Sequence, residues 1–359
     1  MNLTRLWTIA RLELTQRIRT VSWYVLLGVF AALLLGATLL AFLSFSGMDS
    51  SGPGVYSTVV FITLLLVVLV SPTLSGNSIN GDRDAATLAP IQVTQATTAD
   101  ILLGKFLAAW ITGLAFALVA VPFLIVASLA GGVNPLTVVV SALVLIVETG
   151  FVAALGIALS GILARPLFSV AATYLVVAAL TVGTFIGFGL VGSSITSEQV
   201  SRYQSAEYDA SGDPVCVDDN GNCWNEPERM VCGEWQEDRW RTPRFDRVWW
   251  LLAPNPFVIL ADATPVEFDR EGNPNDLFGY AKVGIRSTQI PPELETTWSE
   301  CEPYEEQQYD TPEEIVAKTV PSWFVGLGGQ IVVAGLLLWW AAVRTRTPAR
   351  KLPPGTRIA

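Results

Sequence analysis

The stretch GDRDAATLAPIQVTQATTADILLGK, residues 81–105, decides how this chain is read. It is short, partly charged and set between two long apolar runs. Residues 50–81 contain no Asp, Glu, Lys or Arg, and between Lys105 and Arg165 the only charge is Glu148. Each run exceeds the ~20 residues that a helix needs to cross a bilayer. The insert therefore reads as a water-facing link between two membrane-spanning helices.

Working outward from it, residues 20–48 are free of charge and form the first span, with 50–81 the second. The length from Lys105 to Arg165 holds two spans separated by the turn Gly131-Gly132-Val133-Asn134-Pro135. Residues 166–197, again without charge, make the fifth, and residues from about 322 to 343 the sixth. Helices are expected throughout, because a helix satisfies its own backbone hydrogen bonds in lipid and a lone open strand does not. A composition that is 51% hydrophobic and 15% charged, with mean hydropathy +0.46, agrees with a polytopic membrane protein.

The net charge of -10 conceals a division. Residues 193–321 carry 26 acidic and 10 basic side chains, and the rest of the chain 6 acidic and 12 basic. With the N-terminus inside, the arginines before residue 20, Arg83, Lys105, Arg165 and the tail from Arg344 to Lys351 all face the cytoplasm, while Asp49, the glycine turn and the acidic segment lie outside. The acidic balance says nothing in favour of nucleic acid as a partner, none is expected, and the segregation argues for a transmembrane topology. The expected localisation is the plasma membrane, multi-pass, with both termini cytoplasmic.

The resulting plan is all-α. Residues 1–21, with Leu3, Leu6, Trp7, Ala10, Leu14, Ile18 and Val21 near helical spacing and arginines among them, predict an amphipathic interfacial helix rather than a cleaved signal; a plain basic flank is the competing reading. Residues 22–192 carry spans one to five, with a cytoplasmic link at 77–105. A large, loop-rich extracytoplasmic domain fills 193–321, followed by the sixth span at 322–343 and a basic tail at 344–359. Within the domain, 249–261 (WWLLAPNPFVILA) is apolar but too short to cross, so an interfacial or re-entrant segment is expected, with domain core as the alternative.

All four cysteines, Cys216, Cys223, Cys232 and Cys301, fall in that domain. An even number on the oxidising face predicts two disulfides, in one of three pairings. Zinc competes less well: there is no short CxxC pair and no histidine in the chain. The absence of histidine also removes the commonest general base. No phosphate-binding loop, HExxH or GxSxG occurs. Neither catalysis nor a cofactor or metal within this chain is expected.

Two further features stand out. Thr97 and Asp100 have capping-box spacing ahead of the third span, and Leu88, Ile91 and Val93 supply apolar contacts on an otherwise small, polar link. On spacing alone this is a solvated loop with a helix cap. Glu148 sits near the middle of the fourth span, as a substrate or proton contact or as a structural hydrogen-bonding group.

The link resembles that of the permeases of type-2 ABC exporters. An acidic-basic-acidic cluster (Asp82, Arg83, Asp84), a Thr-Leu pair (Thr87, Leu88) and a closing Leu103-Gly104-Lys105 stand in the family's order between spans two and three. Six spans, a surface helix bearing an acid (Glu13) and Asn255-Pro256 before the last span extend the likeness. Ala86 and Gln95 depart from the usual glycine and proline, and Pro90 is extra.

The resemblance implies ATPase-coupling contacts at Asp82, Arg83, Asp84, Thr87, Leu88 and Ile91. It also implies a separate ABC ATPase subunit carrying ATP and Mg, and a second permease, identical or homologous. The implied function is outward movement of a lipid, peptide or hydrophobic small molecule. The alternatives are a complex that relays ATPase motion to its outer domain without transport, and an ATP-independent carrier or membrane enzyme.

Overall fold

The computed structural model describes residues 3–47, 51–84, 97–217, 223–224, 226–303 and 310–345. In chain order, α1 (Leu3–Ile18) precedes α2 (Val21–Ser44), α3 (Gly52–Ser75), the short α4 (Ser78–Asp84), α5 (Thr98–Leu129) and α6 (Pro135–Ile162). Helix α7 (Pro166–Ala178) continues through a π-helical turn, Ala179–Gly183, into α8 (Thr184–Ser194). Strands β1 (Thr196–Gln204) and β2 (Gln236–Pro243), helices α9 (Pro256–Ala263) and α10 (Leu277–Ser287), strand β3 (Glu295–Ser299), α11 (Pro312–Lys318) and α12 (Trp323–Thr345) complete the chain.

Six stretches among the described residues are long and apolar enough to cross a membrane: α2, α3 with α4, α5, α6, α7 with α8, and α12. The protein is a polytopic membrane protein with six candidate spans. Its contacts divide it into two compact units, 1–185 with 252–285 and 320–359, and 186–251 with 286–319.

In the first unit, α3 and α6 are the most enclosed spans. Tyr56, Leu64, Phe116, Leu155, Ile259, Leu260 and Phe278 are among its large, fully buried core side chains. Local chemistry fixes where the helices begin. Thr97 and Asp100 form a capping box, with Asp100 N–H donating to Thr97 Oγ1 at 3.2 Å and Thr97 N–H to Asp100 Oδ2 at 3.1 Å. Gly131 and Gly132, at φ 90° and 77°, make the turn before α6, a conformation that side chains with a Cβ disfavour. Asn134 then caps α6 by accepting from Leu136 N–H, with Pro135 as its first residue.

Residues 252–261 of the apolar 249–261 segment belong to this unit. Helix α9 has eight residues, so it is about 12 Å long and too short to cross ~30 Å of hydrocarbon. Val258, Ile259, Leu260 and Ala261 are buried, and α9 packs on α6, α12 and the π-turn. Polar groups lock both of its ends. Asn255 Nδ2 donates to Thr181 O at 2.7 Å and to Thr184 Oγ1 at 2.8 Å, taking up the backbone that the π-turn frees. Asp262 Oδ2 accepts from Ser322 N–H, Ser322 Oγ and Trp323 N–H, which satisfies backbone donors that the start of α12 cannot pair within the helix. Gly326 allows that close approach, since a Cβ there would overlap Ala253 O.

The second unit corrects the all-α, loop-rich expectation for the segment between spans five and six. It holds a three-stranded mixed sheet in the order β2-β1-β3, with β1 antiparallel to β2 and parallel to β3. Every residue of β2 but Thr242 is exposed. A strand wet on both faces carries no period-two apolar signal, which is why it reads as loop. The disulfides are Cys216–Cys223 and Cys232–Cys301. Cys223 and Cys301, with Ala206 and Met230, form the small buried cluster of this unit, and Cys216 packs against it.

Candidate functional site

The described ends of the 81–105 link meet at one buried ammonium group. Lys105, in the first half of α5, has only 2% of its side chain exposed, and its Nζ pairs with Glu13 of α1 and, at 2.7 Å, with Asp82 of α4. It also donates to Ser78 O at 3.1 Å. The ammonium thus donates two hydrogen bonds, to Glu13 and Ser78 O, and forms a further ion pair with Asp82. The adjacent Gly104 lets α1 come near enough for the pairing: a Cβ there would press on Ile9 and on Leu6 O. Glycine for approach and lysine for charge explain why the two are neighbours in the chain.

Helix α4 is fastened at both ends. Its first backbone N–H groups, Ile79 and Asn80, donate to Ser160 Oγ of α6 at 3.0 and 3.1 Å. Asn80 Nδ2 reaches Ser169 Oγ of α7, which in turn donates to Gly76 O. Close packing of α3 on α6 at this level needs Gly156, where a Cβ would overlap Ser75. Arg83 donates to Asn80 Oδ1 at 3.0 Å, and Asp84, the last residue of α4, is exposed. On α1, Arg17 donates to Leu74 O; burial holds its guanidinium below the ordinary arginine pKa, and Glu13 one turn away opposes that shift.

The sequence-named coupling residues thus separate into two sets. Asp82, Arg83 and Asp84 lie on α4, with Asp82 joined to Lys105 and Glu13. Thr87, Leu88 and Ile91 lie outside the described residues. Glu148 of α6 is fully buried, some distance along the chain from this cluster, and neither of its oxygens has a hydrogen bond of ordinary geometry. Gln330 of α12 interacts with it, while the Gln330 amide nitrogen donates to Pro254 O at 3.0 Å. Both disulfides consume the cysteines, and among the described residues no cluster of three metal-ligating side chains occurs.

Sequence reasoning singled out Glu13, Asp82 and Lys105 separately and missed their union. It also missed Asn80, Ser160 and Ser169. Serines in spans usually bond their own helix, so nothing in the pattern marks these two as bridges.

A second polar centre lies where α3 and α6 begin. Asp276 is 6% exposed, and its Oδ1 accepts from Gly279 N–H at 2.7 Å. Burial pushes its carboxyl up to about 6; the Gly279 N–H and Lys282 oppose the rise and Glu267 adds to it. A carboxyl whose folded pKa is raised contributes stability below its unfolded value, near 3.8, that is lost as pH rises through about 6. Thermal unfolding of the purified chain should therefore show wild type gaining on Asp276→Asn as pH falls from 7 to 5. Parallel curves would sink this assignment.

No protein-family model matches the chain, and no curated protein matches it.

Proposed function

We propose that the chain is the permease subunit of an ATP-driven exporter of the type-2 ABC kind, with its N-terminus, α4 and the 85–96 segment in the cytoplasm and the disulfide-bonded unit outside. The observation that supports this best is the buried Lys105, which ties α1, α4 and α5 into one body beside that segment. A soluble partner pressing on α4 would push a helix already fastened to its neighbours, and Ser160 and Ser169 would carry the displacement to spans four and five. ATP and Mg belong to the partner ATPase, and this chain provides one half of the path for a lipid, peptide or hydrophobic small molecule.

The other half is a second permease, the same chain or a homologue. Span five is the least enclosed of the six candidate spans, and Gly183 and Gly187 on it stand at small-xxx-small spacing, with open space where a Cβ of Gly187 would stand, which suits close packing of another helix. A second reading is motivated by the separate unit of 186–251 and 286–319 with its two disulfides. In it, ATPase motion is relayed to that unit, which acts on an extracytoplasmic partner without transport.

The test is purification of the tagged chain in gentle detergent, with mass spectrometry of bound proteins and an ATPase assay. A stoichiometric ATPase subunit supports the coupling reading, and stimulation by a candidate substrate favours export over relay. Asp82→Ala with Asp84→Ala should reduce recovered ATPase or its coupled activity at least several-fold while membrane insertion is unchanged. Recovery of the chain reproducibly free of ATPase would move an ATP-independent carrier to first place.

A further inference from the structure

Two recesses of the first unit share a wall. One is an apolar groove of about 270 Å3, bordered by Val60 of α3, Leu114, Leu118 and Val121 of α5, and Leu145 of α6. Leu118 is 68% exposed, so the groove opens on the surface that faces hydrocarbon. Its only polar side chains are Tyr56 and Ser141, hydrogen-bonded to each other at 3.0 Å.

The other recess is polar and small, about 10 Å3, which is room for one water-sized group. Asn134, Thr137, Glu267, Asn275 and Asp276 line it together with the same Tyr56. Helix α6 runs past both. Thr137 in the polar recess stands four residues, about 6 Å, from Ser141 in the groove.

Charge distinguishes the small recess from an ordinary water site. Glu267 and Asp276 both line it, and Lys282, which donates to Thr264 O, is the cation within electrostatic reach of Asp276. Glu267 accepts from the amides of Asn134, at 2.6 Å, and Asn275, at 3.4 Å, and Asp276 accepts from Gly279 N–H. Two carboxylates have roughly eight acceptor positions between them, so acceptor capacity and one net negative charge remain.

From this juxtaposition we infer that the two recesses together bind one membrane lipid, with an acyl chain in the groove and a primary ammonium headgroup in the acidic recess beyond Tyr56. A primary ammonium is about the size of a water molecule and donates three hydrogen bonds. A trimethylated ammonium is larger and donates none, and a glycerol headgroup brings no positive charge. Size, charge and donor count all select the primary amine. This inference does not depend on coupling to an ATPase.

The test uses the full chain in detergent, titrated with lipids of identical acyl chains bearing ethanolamine, choline or glycerol headgroups, with bound lipid counted by native mass spectrometry. Wild type should retain the ethanolamine lipid about tenfold better than the choline lipid, the worth of one hydrogen bond to a charged group. Glu267→Gln should bring the three lipids close to parity. Ala142→Phe, at an exposed position lining the groove, should lower retention of all three alike without disturbing the core. Equal retention of the three headgroups by wild type overturns the ammonium site, and unchanged retention by both Ala142→Phe and Leu118→Trp overturns the groove. Because no ATPase is present, failure of the exporter reading leaves this result standing, and the reverse holds.

Discussion

Lys105→Ala should destabilise the purified protein by about 3 kcal/mol, the lower part of the range for removing one partner of a buried ion pair. The lysine side chain is 2% exposed, whereas Glu13 and Asp82 keep 16% and 24%, so some water remains to soften the loss. What the variant leaves is two carboxylates facing each other across α1 and α4 with their common cation gone. The expected readouts are a lower thermal midpoint in detergent and faster protease cleavage within α1, whose hold on α5 depends on this contact. A double-mutant cycle of Lys105→Met and Glu13→Gln separates pairing from packing. The two changes together should cost clearly less than their sum, with a coupling of roughly 1–3 kcal/mol. Additive effects, or a Lys105→Ala penalty within the ~0.5 kcal/mol of an ordinary surface change, would remove the triad as a structural clamp and weaken the functional proposal that rests on it.

Loss of the Cys232–Cys301 bridge should be the other large effect. The bond closes 69 residues of sequence, against 7 for Cys216–Cys223. Chain-entropy arithmetic assigns about 4 kcal/mol to the long loop and about 2 kcal/mol to the short one. The unit has little else to rely on. Its buried cluster is Ala206, Cys223, Met230 and Cys301, while β1 has no buried residue and β2 is almost wholly exposed. Cys232→Ser with Cys301→Ser should therefore open this unit to limited proteolysis at temperatures where Cys216→Ser with Cys223→Ser leaves it protected. The spans, held by their own apolar core, should still insert. Equal protease resistance of the two variants would show that the sheet stands without the long bridge.

The division between these two effects follows what each part of the chain exposes to a reader. Spans were legible because apolar runs without charge have one low-energy destination, and the Thr97/Asp100 cap and the Gly131-Gly132 turn because each needs only its immediate neighbours. The sheet was not, because Glu237, Asp238, Arg239 and Arg241 on β2 look like any solvated loop until Glu198 and Arg202 on β1 pair with them across the ladder. The disulfide pairing stayed open for a related reason: spacing does not report which sulfurs meet.

By itself, then, the sequence determined the number and extent of the apolar helices, the segregation of acid into one segment, the oxidised state of its cysteines and the short polar link after residue 81. All of these depend on transfer between water and lipid or on neighbours within a few residues. Only the tertiary structure decided that Glu13, Asp82 and Lys105 share one buried site, that Asn255 and Asp262 anchor α9 among the spans, and that Tyr56 lines both an apolar groove and an acidic recess. Each brings together groups from about 20 to more than 200 residues apart, and their meeting depends on how helices pack against one another, which no local pattern of hydrophobicity or charge specifies.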